Sequence, residues 1–191
     1  MQKKKIVVAS GNKAKLVEIQ SILPEFEIIG YKDAGLDFEI EENGTTFYEN
    51  ALIKAKAVSD ALGVSALADD SGLMVDALNG EPGIYSARYA GDGIDEHNNQ
   101  LLLKNMQGVS DRSAKFVCCM VYYSQDGEII TATGETKGKI LEKEQGTNGF
   151  GYDPLFFSDD LQMSLGVASA EAKNTISHRF RALQALRGKL K

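Results

Sequence analysis

Along this chain, short runs of apolar β-branched residues alternate with longer stretches in which apolar residues recur every three or four positions, a succession of strands and helices. "KIVVAS" (5–10) reads as a strand, "GNKAK" as a turn, and "AKLVEIQSIL" as a helix with Leu16, Ile19, Ile22 and Leu23 on one face, closed by Pro24. A second strand is expected from Phe26 to Tyr31, followed by an acidic, weakly patterned segment, "DFEIEENG" (37–44).

A long helix is predicted to begin near Thr46, where Thr46-Phe-Tyr-Glu49 forms a capping box. It carries Leu52, Ile53, Val58 and Leu62 and ends at Gly63, which suits a left-handed C-terminal residue. "VSALA" (64–68) then reads as a short buried strand that delivers Asp69 and Asp70 at its end, before a Ser71-Gly72 turn, with "LMVDAL" and an Asn79-Gly80 turn beyond. After a Gly-rich loop, "PGIYSARYAGDG", residues 95–106 look helical, and residues 113–136 form a hairpin joined at Gln125-Asp126-Gly127. "QGTNGFGYDPLFF" leads into a final strand, and the chain is helical in character from Ser169 to Leu190 with a restart near Ser177. No repeat, low-complexity tract or linker divides it, so residues 1–191 are expected to be one domain.

Composition narrows the function classes. A net charge of −6 and a pI near 5.0 argue against a nucleic-acid duplex or an anionic membrane as the main partner, because either needs a basic face. The opening "MQKKKIVVAS" has a charged start, but its apolar stretch ends too soon for a signal peptide, so a cytoplasmic, unprocessed chain is expected. The two cysteines, Cys118 and Cys119, are adjacent in a strand and should point to opposite faces as core residues.

Four segments have the makings of a site. "SGNKAK" (10–15) joins a strand to a helix start with free N–H groups and lysines nearby, a seat for an anion. Glu41 and Glu42 precede the long helix and Asp69 and Asp70 follow the returning strand; oxygen-only ligands of this kind suit Mg²⁺, shared with substrate phosphates. In "NGFGYDP" (148–154), Phe150 is placed to stack on a base and Asp153 to accept a hydrogen bond from it. In "KNTISHR" (173–179), Lys173, His178 and Arg179 sit at a helix entry, where His and Arg would be two donors for the O6 and N7 acceptors of a 6-keto purine. Walker, dinucleotide, GxSxG and zinc-deaminase patterns are absent.

With these segments in order, the chain resembles the inosine/xanthosine triphosphate pyrophosphatase family, also called Ham1-like. The likeness lies in "SGNKAK", "EENGTTFYENALIKAKA", "ALADDSGLMVDALNGEPGIYSARYAG", "GFGYDPLFF" and "EAKNTISHRFRAL", which together span most of the chain. It implies Mg²⁺-dependent hydrolysis of XTP, ITP and dITP to the monophosphate and pyrophosphate. It also implies an elongated α/β fold with a central mixed, curved sheet flanked by helices, two lobes with a substrate cleft, and a homodimer. By position, Ser10, Gly11, Asn12, Lys13, Ala14 and Lys15 would bind substrate, Glu42 and Asp70 would hold the metal, and Asp70 would also accept the proton of the attacking water. Ser71, Phe150, Gly151, Tyr152, Asp153, Lys173, His178 and Arg179 would complete the nucleotide site, with Asp69 supporting the turn and Lys54 a helper. Ala172 and Phe180 depart from the family's commoner Glu and Gly, which bears on closure of the C-terminal segment rather than on the reaction. Two other readings stay open: a purine-nucleotide binding module without turnover, and a Maf-type pyrophosphatase acting on modified pyrimidines.

Overall fold

Ala66–Val75 forms one unbroken strand, β3, where the sequence suggested a short strand and then a Ser71-Gly72 turn. The strand runs on through the turn-like pair because it lies between the strands Lys4–Val8 and Ser113–Tyr123 in the sheet order, with the first of these pairing at Ala66 and Leu67. The remaining strands, in a computed structural model that describes residues 4–189, are β1 (Lys4–Val8), β2 (Phe26–Gly30), β4 (Ser113–Tyr123), β5 (Ile129–Ile140), β6 (Phe156–Ser158) and β7 (Met163–Ser164). They make a seven-stranded sheet in the order β2-β1-β3-β4-β5-β6-β7. The sheet is mixed: β1 pairs parallel with β2 and β3, whereas β5–β6 and β6–β7 are antiparallel. The β4–β5 hairpin turns where expected, with the Ser124 amide donating to the Glu128 carbonyl at 2.9 Å and Gly127 at a φ of 84°. β7 is too short to carry a sequence pattern and was not anticipated.

The helices are α1 (Lys13–Ile22), α2 (Phe47–Leu62), α3 (Asp95–Asn105), α4 (Ala170–Ile176) and α5 (His178–Arg187). The C-terminal helical stretch is therefore split at Ser177, whose ψ of 151° is extended. The break leaves the Ile176 carbonyl without a helical partner, and the fully buried Thr136 hydroxyl of β5 donates to it at 2.8 Å. Leu190, at the end of the predicted helix, lies outside the described residues.

The chain divides into two compact units, with β3, β4 and β5 contributing residues to both. The first comprises the chain up to Asp70, Cys118–Gly134 and the chain from Arg179 on. It has a core on each sheet face. Ile19 and Ile22 of α1 and Ala182, Leu183 and Leu186 of α5 pack on Val8, Leu67, Cys118 and Met120. Ala51, Ala55 and Val58 of α2 pack on Ala9, Ala66, Ala68, Cys119 and Val121. Cys118 and Cys119 thus fall on opposite faces, as strand alternation requires.

The second unit, Ser71–Val117 with Glu135–His178, is built around Leu73 and Val75 of β3, Leu102 and Met106 of α3, Phe116 of β4, and Leu155, Phe156 and Leu165. Arg112 fastens it by donating to the carbonyls of Met106, Ile140 and Leu141. Gly138 of β5 faces Ser158 of β6, and a Cβ there would run into the Phe157 carbonyl oxygen and stand 2.7 Å from the Phe156 ring. Gly138→Ala is expected to cost about 2 kcal/mol through this overpacking, read as a lowered urea midpoint with an unchanged m-value.

Candidate active site

Asp69 and Asp70, both nearly inaccessible and adjacent in the middle of β3, face opposite sides of the sheet. A carboxylate removed from water needs compensating charge or hydrogen bonds, and each has its own set. On the face covered by α1 and α5, Asp69 Oδ2 takes Lys15 Nζ at 3.2 Å and Arg179 Nη2 at 3.1 Å. The other arm of Arg179, Nη1, donates to Glu18 of α1. Burial works against the guanidinium charge, but Asp69 and Glu18 outweigh it and raise its pKa further. Both terminal nitrogens of Arg179 thus meet carboxylates, next in sequence to His178.

On the opposite face, Asp70 meets α2. Asn50 Nδ2 donates to Asp70 Oδ2 at 3.3 Å, and Lys54 Nζ lies 3.3 Å from Asp70 Oδ1 and 3.0 Å from Glu42 Oε2. Glu42 is brought there by the chain entering the helix: the Gly44 amide donates to Asn50 Oδ1 at 2.8 Å. A Cβ at Gly44 would stand 2.7 Å from both that oxygen and Glu49 Cβ. Thr46 caps the helix by accepting from the Glu49 amide at 3.1 Å. The Glu49 carboxylate takes the amide and hydroxyl of Thr45 at 2.6 and 2.8 Å, which lower its pKa, and the backbone of the cap residue Thr46 adds to the lowering.

Burial, only partly offset by Lys54, pushes the Asp70 carboxyl up to about 6. Burial also works to lower the Lys54 pKa, but Asp70, Asp69 and Glu42 together raise it. Among the described residues no three His, Cys, Asp or Glu side chains are grouped to cage a metal. What the site offers is two carboxylates, Glu42 and Asp70, already converging on one positive charge. That donor set fits Mg²⁺, which keeps most of its waters and shares phosphate oxygens.

The start of α1 differs from expectation. Asn12 is its cap and accepts from the Ala14 and Lys15 amides at 3.0 and 3.2 Å, while Ser10 Oγ accepts from the Asn12 amide at 3.1 Å. Two of the helix's early N–H groups are thus already satisfied. Gly11, Asn12, Lys13 and Ala14 are exposed; Ser10 and Lys15 are half-buried.

In the second unit, Asp153 Oδ2 accepts from the Phe150 amide at 2.9 Å and from Lys173 Nζ at 2.6 Å. Lys173 Nζ also lies over the Phe150 ring, 4.6 Å from its centre. His178 stacks on Phe116 with ring centres 5.0 Å apart. The Tyr152 hydroxyl donates to the Ser86 carbonyl at 2.6 Å and the Gly151 amide to Asp95 at 2.8 Å, so these two hold the loop in place. Ser71, directly after the aspartates, is half-buried.

Glu18 and Asn50 were not anticipated. Glu18 had a signal, since it sits three residues from Lys15 and four before Ile22 on the buried face of α1, where an acid demands a cation. Asn50 had none, because a polar residue one turn into a helix is commonly solvated.

A profile of the Ham1 family matches residues 6–189. The chain belongs to the Ham1 family. It is 45% identical to a dITP/XTP pyrophosphatase of Staphylococcus aureus over 96% of this chain and 94% of that one. With a dITP/XTP pyrophosphatase of Clostridium perfringens it shares 46% identity over 98% of both chains. Among solved structures, the S. aureus Ham1 protein superposes with a TM-score of 0.88 at 44% identity, covering 98% of each chain. A Ham1 protein from Coxiella burnetii gives 0.88 at 39% identity over the same share of each chain. The mixed α/β sheet with its flanking helices is thus the Ham1 architecture.

The raised Asp70 pKa sets a pH dependence. The folded protein retains a proton there that the unfolded chain releases near the ordinary value of 3.8, so folded stability falls as pH rises through the interval from that value to about 6. In metal-free buffer, Asp70→Asn is expected to be more stable than wild type by about 1–2 kcal/mol at about pH 8, with the difference gone below about pH 4. Urea unfolding at both pH values measures it.

Proposed function

We propose that the protein is a Mg²⁺-dependent nucleoside triphosphate pyrophosphatase. It hydrolyses the deaminated purine nucleotides dITP, ITP and XTP to monophosphate and pyrophosphate, clearing them from the nucleotide pool. The observation that carries this reading is the convergence of Glu42 and Asp70 on one cation. The names of the S. aureus and C. perfringens relatives, dITP/XTP pyrophosphatase, point to the same reaction. By the same resemblance we read the protein as a cytoplasmic homodimer; none of the described helices is long and apolar enough to cross a membrane.

In this reading, Glu42 and Asp70 hold Mg²⁺, which when bound offsets phosphate charge and acidifies bound water. Asp70 would also accept the proton of the attacking water. Lys54 orients Asp70 and, with Lys15, meets the negative charge that develops on the departing pyrophosphate. Ser10 to Lys15 and Ser71 bind the phosphate and sugar portion. In the second unit, Phe150 offers a stacking face, with Gly151, Tyr152 and His178 shaping its surroundings.

Lys173 and Asp153 form a donor beside an acceptor. A 6-keto purine presents the complement, an O6 acceptor next to an N1–H donor, whereas adenine reverses both. Each mismatched buried group costs about 1–3 kcal/mol, which is enough to turn ATP away. Guanine shares the O6 and N1–H edge, so this pair does not reject GTP.

Pyrophosphate and orthophosphate release from dITP and XTP with Mg²⁺, against ATP and GTP, tests the proposal. Pyrophosphate from the first two well above both controls is expected, and its absence from all four overturns the assignment. Asp70→Asn should lose roughly 10²- to 10⁴-fold in kcat while still binding nucleotide. Nucleotide binding without turnover in wild type would identify a sensor instead. Lys173→Met should reduce the preference for dITP over dATP by roughly tenfold or more, read from kcat/KM.

A further inference from the structure

We infer that Lys32, which belongs to no motif of the chain, is a second phosphate-binding cation, held by Glu39 until a polyphosphate displaces it, on the reading of residues 10–15 as the phosphate loop. Lys32 follows the end of β2 in a turn whose backbone is fixed. The Tyr31 amide donates to the Val8 carbonyl at 2.9 Å, the Gly35 amide to the Lys32 carbonyl at 3.0 Å, and the buried Tyr31 hydroxyl to the Phe38 carbonyl at 3.1 Å. From this turn the Lys32 stem lies across Gly11, the glycine of the loop. A Cβ built on Gly11 would be 3.6 Å from Lys32 Cε and 4.0 Å from Nζ. The ammonium group is therefore one side chain's width from the loop backbone. Gly30 keeps the turn and loop in contact, since a Cβ there would be 2.8 Å from Leu16 and 3.3 Å from the Ser10 carbonyl oxygen.

The present partner of Lys32 is weakly placed to keep it. Glu39 Oε1 takes Nζ at 2.5 Å, but the Glu39 side chain is 86% exposed and the Lys32 side chain 46%. Glu39 also sits in the segment between β2 and α2 that has no regular structure. Exposed pairs of this kind contribute little and exchange readily. A phosphate carries more charge than a carboxylate and offers more acceptor oxygens, so it wins the ammonium once bound at the loop. Lys15 is shared with the buried Asp69, whereas Lys32 is held by an exposed partner and, beside the exposed Lys13 of the loop itself, adds a charge that a ligand can claim.

Steady-state kinetics with dITP and inhibition by inorganic pyrophosphate test the assignment. Lys32→Gln is expected to raise both KM and the pyrophosphate inhibition constant by about 10-fold, with kcat changed less than about twofold, as for binding shared by ground and transition states. Lys32→Arg should recover most of the loss. Glu39→Gln, by removing the competitor, should lower both constants by about 2- to 5-fold, a shift that a merely structural ion pair would not produce. Unchanged constants in Lys32→Gln, alongside raised constants in Lys15→Gln, overturn the role of Lys32 and leave the phosphate loop standing. If neither lysine variant moves them, the phosphate-loop reading falls and this role falls with it. A loss confined to kcat in Lys32→Gln likewise overturns it.

Discussion

Two neighbouring carboxylates in the middle of a buried strand impose the constraint from which most of the first unit follows. In a strand, adjacent side chains leave by opposite faces, so Asp69 and Asp70 draw their direct contacts from different groups. Each face must supply its own positive charge in a region from which water is largely excluded. One face does so with Lys15 and Arg179, the other with Lys54 and the amide of Asn50. The two solutions differ in completeness. Asp69 is met by two full charges, whereas Asp70 shares one lysine with Glu42 and stays uncomfortable enough for its carboxyl to titrate near 6. Incomplete compensation is the feature on which the proposed role of Asp70 rests.

The surrounding architecture serves to deliver these groups. The entry to α2 is fixed through Thr46, Glu49 and the Gly44–Asn50 bond, so that Glu42, Asn50 and Lys54 reach the same carboxylate. In the second unit, the helix break at Ser177, stabilised through Thr136, sets where α4 ends and so fixes the helix that carries Lys173 to Asp153.

Much of this was legible in the sequence where the signal is local. The α1 stripe, the α2 caps, the β4–β5 hairpin and the break near Ser177 each depend on residues a few positions apart, and each appeared where the pattern put it. β3 misled because Ser71-Gly72 carries the chemistry of a turn, while pairing in mid-sheet is a property of distant strands. The partners of Arg179 were hidden for the same reason. Beside His178 it reads as half of a base-binding pair, yet its partners Asp69 and Glu18 lie 110 and 161 residues away in the chain. Glu18 did carry a signal, since its place on the apolar face of α1 demands a cation, but the sequence does not say which one. Resemblance to the Ham1 family located the segments, but only the structure shows which side chains within them are occupied with one another.

Lys15, Glu18, Asp69 and Arg179 form a set of two cations and two anions drawn from three separate regions of the chain. Formally the set sums to zero, and any single neutral replacement leaves one unmatched charge where burial makes it costly. Variation at these four positions is therefore epistatic. A change that is damaging on its own becomes tolerable only in the company of a second change of opposite sign, so the lineage has to move through the quartet in pairs or leave it alone.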